Sequence, residues 1–247
     1  MRTKVLTKSV TFFAAAMLFF MTNTLSAKEL AVSDEEGEKV SQNDGLEPSE
    51  AARLHKQFGI AGRLGYAVGL LMGSGIDAFY NNGPKFQIGV QYLQGEMDLK
   101  SSLSAVSSLV KVDRVLLESS TAMIMGRYFI GNSFNVYGGL GQRVIDWDMK
   151  ISSVLGDSSV RSKGTVTSVV AGIGIGNTWH WDNGFFIGGD WIGYFAPLSS
   201  SKTVKTETIG TTSDDLKEMQ KDGEDLGEKL GTTSHSQLAI LNIGFMF

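Results

Sequence analysis

A set of charged and amide side chains is the part of this sequence whose types and spacing could do chemistry together. Each lies in a stretch where apolar residues alternate with small or polar ones, and each falls on the polar side of that alternation. Period-2 alternation is typical of a β-strand with one face in an apolar environment. The polar side chains would therefore share one interior. They are Arg63, Gln87, Gln91, Arg127, Arg143, Asp190 and Asn242.

Buried charges must pair with one another or meet water. Two interpretations of this polar cluster stay open. In one, it forms a polar plug that contains water and seals the interior. In the other, it lines a narrow solute path, where three arginines against one aspartate would favour anions.

The sequence offers little for catalysis or metal binding, because it contains three histidines and no cysteine. His55 lies in a charged segment, His180 lies beside a tight turn, and His235 lies between two serines. No spacing resembles a catalytic triad or a metal-ligand motif, so we predict no enzyme and no catalytic, cofactor or metal site. The run Gly172-Ile-Gly174-Ile-Gly176 is similar to a nucleotide loop, but it is not followed by a helix. We predict a strand whose glycines face inward.

Three short turn signals place these residues on strands. They lie at 81–84, 131–133 and 182–184, about 50 residues apart, and two contain Asn-Gly, which favours tight turns between antiparallel strands. Six strands flank these turns, and one more at each end makes eight. The predicted strands are 57–67, 70–80, 85–97, 115–130, 134–148, 165–180, 185–196 and 235–247.

Short turns on one side and long polar inserts on the other predict an all-β fold. We expect an eight-stranded antiparallel transmembrane β-barrel with short periplasmic turns and longer outer loops. Its apolar faces would meet lipid, and we assign Trp191 and Phe195 to such a face. An interior of this width is filled by side chains.

Three inserts, 99–113, 149–160 and 214–230, carry apolar residues, in the first and last at helical spacing. Two interpretations of these outer loops stay open. In one, they form a binding surface or a hydrophobic entrance at the barrel mouth. In the other, the loops pack on one another, or the strands simply continue past the membrane.

The N-terminus predicts export. Arg2, Lys4 and Lys8 precede and border an apolar run of about a dozen residues, and Ala27 offers a cleavage site, which is typical of a signal peptide. We predict a signal peptide at 1–27, a flexible periplasmic segment at 28–56, in which one or two helical turns are expected at 48–54, and the barrel at 57–247. Since residues 1–27 contain three basic and no acidic residues, the net charge of −4 becomes −7. Nothing in this charge suggests a nucleic-acid partner.

The last predicted strand carries apolar residues at alternate positions and ends on an aromatic residue. This strand resembles the C-terminal strand of bacterial outer-membrane β-barrel proteins, and the whole architecture resembles their small eight-stranded members of the OmpA/OmpX kind. The resemblance implies an outer-membrane location with both termini periplasmic, surrounding membrane lipid, and recognition of this strand by the barrel-assembly machinery. The residues of that signal are Leu241, Ile243, Phe245 and Phe247.

Two functions are compatible with this sequence. The preferred one is a non-enzymatic closed membrane anchor that presents outer loops to a surface ligand or supports envelope integrity. The alternative is a narrow channel or transport module for small solutes, including hydrophobic ones. An enzyme would require His235 and its neighbouring serines to be essential.

Overall fold

The computed structural model describes residues 45–68, 71–100, 110–153, 158–209 and 214–247. The predicted signal peptide and the lead-in up to residue 44 lie outside the described residues. Helix α1 spans Pro48–His55 and helix α2 spans Asp214–Thr232. The strands are β1 Phe58–Val68, β2 Leu71–Asn82, β3 Phe86–Asp98, β4 Val110–Phe129, β5 Phe134–Ser153, β6 Ser159–His180, β7 Phe185–Ile209 and β8 His235–Met246.

The eight strands form one closed antiparallel barrel in sequence order. The last strand closes the ring on the first, with Gly59 opposite Met246 and Leu64 opposite Leu241. This confirms the predicted fold class. Neither described helix is long and apolar enough to cross a membrane.

Alternation along the strands sorts the side chains between the two faces of the barrel. Ile60, Ile173 and Ile243 point outward and are 49%, 65% and 45% exposed, whereas Ala61 and Arg63 point inward and are buried. Apolar side chains thus cover the outside of the barrel from the short turns up to the level of Val169. Such a face is what strands present to an apolar medium.

Strands β4 to β7 are 20–25 residues long, whereas the other four are 11–13. The long strands extend as a wall beyond the end of the barrel opposite the short turns, which we call the long-strand end. Continuation of the strands, one of the interpretations of these inserts, is therefore confirmed at 110–113, 149–153 and 159–160. The predicted strand ends at 115, 148, 165 and 196 fall short of the observed ends at 110, 153, 159 and 209. Residues 101–109 and 154–157 lie outside the described residues. In the continued strands, Met149, Ile151 and Val160 all face inward and are buried, so their period is that of a strand. The helical prediction at 214–230 matches α2.

One face assignment is also wrong. Phe195 was expected on the lipid face with Trp191, but it is buried inside the barrel with Met123, Tyr137 and Val170. Between β6 and β7, Ile175 pairs with Ile192 and Gly176 pairs with Asp190, so Trp191 is an extra residue without a partner on β6. A bulge of one extra residue inverts the alternation that follows it.

Candidate functional site

The centre of the barrel interior holds a network of four charged side chains. Asp190 accepts hydrogen bonds from Arg63 at 2.5 Å and from Arg127 at 2.8 Å. Arg63 also donates to Asp77 at 3.0 Å and to Gln91 at 2.8 Å. These residues come from β1, β2, β3, β4 and β7, so the network ties together more than half of the strands.

Two arginines and two aspartates give this central network balanced charge. The sequence had not assigned Asp77, because Gly73 and Gly75 obscure the alternation of β2. With Asp77 in place, the excess of arginine that would favour anions is absent from the centre. The side chains of Arg63 and Asp190 are 3% and 1% exposed, so the ion pairs occupy the interior rather than line a path.

Inward-facing glycines of β6 make room for this network. A Cβ atom on Gly174 would lie 2.3 Å from the Tyr137 ring, and one on Gly176 would lie 2.9 Å from an Asp190 carboxylate oxygen. Tyr137 in turn lies against the guanidinium of Arg127, 5.1 Å from the ring centroid. The glycine run predicted to face inward therefore has a packing role.

Helix α1 seals the short-turn end of the barrel. Its Arg53 is fully buried and stacks on Phe129 at 3.8 Å. The guanidinium donates to the backbone carbonyls of Pro84 at 2.5 Å and Asn132 at 2.9 Å, which belong to two of the short turns. Burial lowers the pKa of Arg53 to about 10, although Glu50 opposes the shift, so the side chain stays charged at neutral pH.

Ser49 and His180 complete this contact. The Ser49 hydroxyl donates to the His180 carbonyl at 3.2 Å and accepts from the His180 amide at 3.0 Å. The sequence suggested one or two helical turns around residues 48–54, but not that they would enter the barrel. The local pattern of these residues is too short to reveal their partner.

Helix α2 covers the interior at the long-strand end, and Arg143 binds the C-terminal end of this helix. Arg143 donates to the carbonyls of Gly231 at 3.0 Å and Thr233 at 3.1 Å. These carbonyls lie at the C-terminal end of α2, where the helix dipole is negative. Arg143 therefore faces inward as predicted, yet it contacts the helix end rather than the central network.

Polar contacts along α2 attach it to the wall. Glu224 accepts hydrogen bonds from Ser162 at 2.9 Å, Gln220 at 2.8 Å and Thr206 at 3.2 Å. Burial favours a higher pKa for Glu224, but these hydrogen bonds and the charge of Lys202 outweigh it and lower the pKa. The helix is thus held by an ionised carboxylate.

Apolar packing supports the same attachment. Leu230 of α2 packs on a buried cluster that includes Trp147 and Val166. A Cβ atom on Gly227 would lie 2.6 Å from the Trp147 ring, and one on Gly231 would lie 2.3 Å from Val166. Glycines that weaken an isolated helix therefore allow this one to approach the wall closely.

A small cavity separates the central network from α2. About 20 Å³ of it is accessible to the centre of a water molecule, and Gln91, Arg143, His235 and Gln237 are among its lining residues. That volume holds about one water molecule. The interior is accordingly closed at three levels: by α1, by the central network and by α2.

The remaining sequence-predicted residues lie at separate places. Gln87 donates to Asn81 at 3.1 Å near the short turns, and Asn242 is buried on β8. The His235 ring contacts the Leu230 carbonyl at 2.7 Å. Within the described ranges no group of three or more His, Cys, Asp or Glu residues could hold a metal ion. The four residues of the predicted assembly signal lie on β8 or, for the last, directly after it, and all are exposed: Leu241, Ile243, Phe245 and Phe247.

No known protein family matches this chain, and no curated protein sequence matches it. Solved outer-membrane barrels do resemble it. CarO of Acinetobacter baumannii is 10% identical with a TM-score of 0.46, and covers 78% of this chain and 99% of its own. A major outer membrane protein of Thermus thermophilus is 10% identical with a TM-score of 0.46, and covers 77% and 98%.

The third such structure is Ail, the attachment invasion locus protein of Yersinia pestis, in complex with the heparin analogue sucrose octasulfate. It is 14% identical with a TM-score of 0.41, and covers 78% of this chain and 97% of its own. At these identities and TM-scores the likeness concerns the fold alone, and the function of this chain has to be argued from its own residues.

Proposed function

We propose that this chain is a non-enzymatic, closed β-barrel anchor in the bacterial outer membrane. The observation that carries the proposal is a barrel with an apolar exterior and an interior closed at three levels. The short turns would face the periplasm and the long-strand wall with α2 would stand outside the cell, which is the usual asymmetry of such barrels. The wall would then be the part that contacts surface ligands.

Residue chemistry supports an anchor over a channel. The four central charges pair with one another. At the two ends, Arg53 of α1 donates to turn carbonyls and Arg143 of β5 donates to the last carbonyls of α2. A conducting path would need all three contacts to open. Since the three contacts are made by different side chains, loss of any one of them removes no hydrogen bond from the other two.

Single-channel recording on the refolded protein in a planar bilayer tests this proposal, with an Arg143→Ala variant beside it. We expect both proteins to be silent, because the variant loosens only α2. Insertion is established independently by protection of the barrel from protease in vesicles. Steady, discrete currents in the wild type that change in the variant would refute the closed anchor and place Arg143 in a solute path.

A further inference from the structure

The outward face of the long-strand wall carries a basic patch. Arg114, Lys150, Arg161 and Lys163 lie on β4, β5 and β6 with exposed or half-exposed side chains, and Lys111 precedes them on β4. Their neighbours in sequence, such as Met149 and Val160, are buried on the opposite face of the sheet. The five cations therefore share one surface.

Three carboxylates serve these five cations: Asp148, Asp113 and Glu207. Glu207 lies opposite Arg161 on β7, where an exposed Lys205 opposite Lys163 adds a sixth cation. Asp148 accepts two hydrogen bonds from Arg161, at 3.0 and 2.8 Å, and lies 3.4 Å from Arg114 and 3.8 Å from Lys163. Asp113 lies 3.8 Å from Lys111 and 3.9 Å from Lys150. The described residues of the patch thus carry an excess of positive charge in a chain whose net charge is −4.

Hydroxyl side chains separate the basic patch from the apolar exterior. Above Val169 on β6 come Thr167 and Thr165, and the facing residues of β7 are Ser201 and Thr203. This surface continues the lipid-facing side of the barrel without a break, passing from apolar side chains to hydroxyls and then to cations. On β3, β4 and β5, carboxylates take the place of hydroxyl side chains at this height. They are Glu96, Glu118 and Asp146, which lie opposite one another on neighbouring strands.

The height of the patch limits what it can reach. Lys163 lies six residues beyond Val169 on β6, which at the usual strand rise and tilt is about 15 Å above the apolar edge. Phospholipid headgroups occupy only about 5 to 8 Å on each side of the hydrocarbon core. An anionic group opposite Lys163 must therefore belong to a headgroup larger than that of a phospholipid. The hydroxyl side chains below Lys163 can hydrogen-bond to the hydroxyls of a saccharide.

We propose that the basic patch binds anionic groups on the saccharide headgroups of glycolipids that surround the barrel in the outer leaflet. The acyl chains would pack on the apolar exterior, the sugars on the hydroxyl level, and phosphate or carboxylate groups on Lys150, Arg161 and Lys163. Arginine and lysine bind phosphate oxygens through charge-assisted hydrogen bonds. This inference rests on the proposed membrane orientation, and it names the ligand of the wall.

The test is a titration of nanodisc-embedded protein with labelled lipopolysaccharide, followed by energy transfer from tryptophan. One lipopolysaccharide carries phosphates on its core sugars and a second chemotype lacks them. The variant is Lys150→Gln/Arg161→Gln/Lys163→Gln. Its matched control is Lys217→Gln/Lys221→Gln/Lys229→Gln, which removes three exposed lysines from α2. Phosphatidylglycerol and a soluble sulfated oligosaccharide are titrated as alternative anions.

We expect the wild type and the control to prefer the phosphorylated chemotype, and the patch variant to bind it about a hundredfold more weakly. Equal binding of both chemotypes, or equal losses in variant and control, would overturn the proposal. Equally tight binding of phosphatidylglycerol would also overturn it, as would patch-dependent binding of the soluble oligosaccharide alone. In all these cases the proposed anchor function remains supported if the barrel inserts into the membrane. Failure of the barrel to insert would refute the proposed function itself.

Discussion

At the residue scale, the interior depends on how one carboxylate satisfies two arginines. Asp190 contacts Arg63 and Arg127, and Asp77 contacts only Arg63. Removing one partner of a buried ion pair leaves an uncompensated charge, which costs far more than the intact pair contributes. The stability of the barrel should therefore be sensitive to Asp190 in particular.

We expect Asp190→Asn to lower the free energy of unfolding by about 3 to 5 kcal/mol, because Arg127 keeps no carboxylate partner in the network and Arg63 keeps only Asp77. Urea unfolding in lipid vesicles, followed by tryptophan fluorescence, measures this change. Asp182→Asn, in an exposed turn, is the control and should leave the midpoint unchanged. Equal midpoints for the two variants would show that the central network does not stabilise the fold.

At the element scale, α2 is a helix whose attachment combines apolar packing with hydrogen bonds to charged groups. The carbonyls at its C-terminal end accept hydrogen bonds from Arg143, and Glu224 accepts hydrogen bonds from β6 and β7. A carboxylate whose pKa is lower in the folded than in the unfolded state contributes stability above its unfolded pKa. That contribution is lost as the pH falls through the folded pKa.

The attachment of α2 should accordingly weaken in acid. We expect hydrogen exchange of α2 amides, corrected for the intrinsic rate, to accelerate in acid, as the pH falls through the lowered pKa of Glu224 and its carboxylate takes up a proton. In Glu224→Gln the helix should be loose already at neutral pH. Asp222→Asn, an exposed change on the same helix, should behave like the wild type. Acid-independent exchange in the wild type would contradict the role given to Glu224.

At the scale of the whole molecule, the apolar exterior and the polar interior invert the arrangement of a soluble barrel. The exposed apolar side chains run from the aromatic residues near the short turns, such as Trp179 and Trp181, up to Val169. Ile173 lies near the middle of that range. In lipid this surface is stable, and a charge placed there should be costly.

We expect Ile173→Lys to lower the stability of the vesicle-inserted barrel by about 2 to 4 kcal/mol, the cost of lysine near the bilayer midplane. Folding titrations in urea with vesicles present give this value. Thr203→Lys introduces the same charge on the outward face of the long-strand wall and should be nearly neutral. If both substitutions cost the same, the apolar exterior would not be in contact with hydrocarbon.

Local signals in the sequence predict the strands, their number and most of their faces. Strand alternation and Asn-Gly turns are local signals, and each depends only on residues a few positions apart. For this reason the eight strands, the inward side of Arg63 and Arg127, and the helix at 214–230 could all be predicted. Phe195 was the exception, because a single bulged residue inverted the pattern after Trp191.

Which interior residues contact one another depends on the closed barrel and cannot be predicted from local patterns. Alternation shows that Arg63 and Arg143 both face inward, but not that they lie at different heights, since height depends on register between distant strands. Register brings Asp77 to Arg63 and the end of α2 to Arg143. The docking of α1 likewise depends on turns that are 31 and 79 residues away from Arg53. Closure of the barrel creates these contacts, and no local pattern carries them.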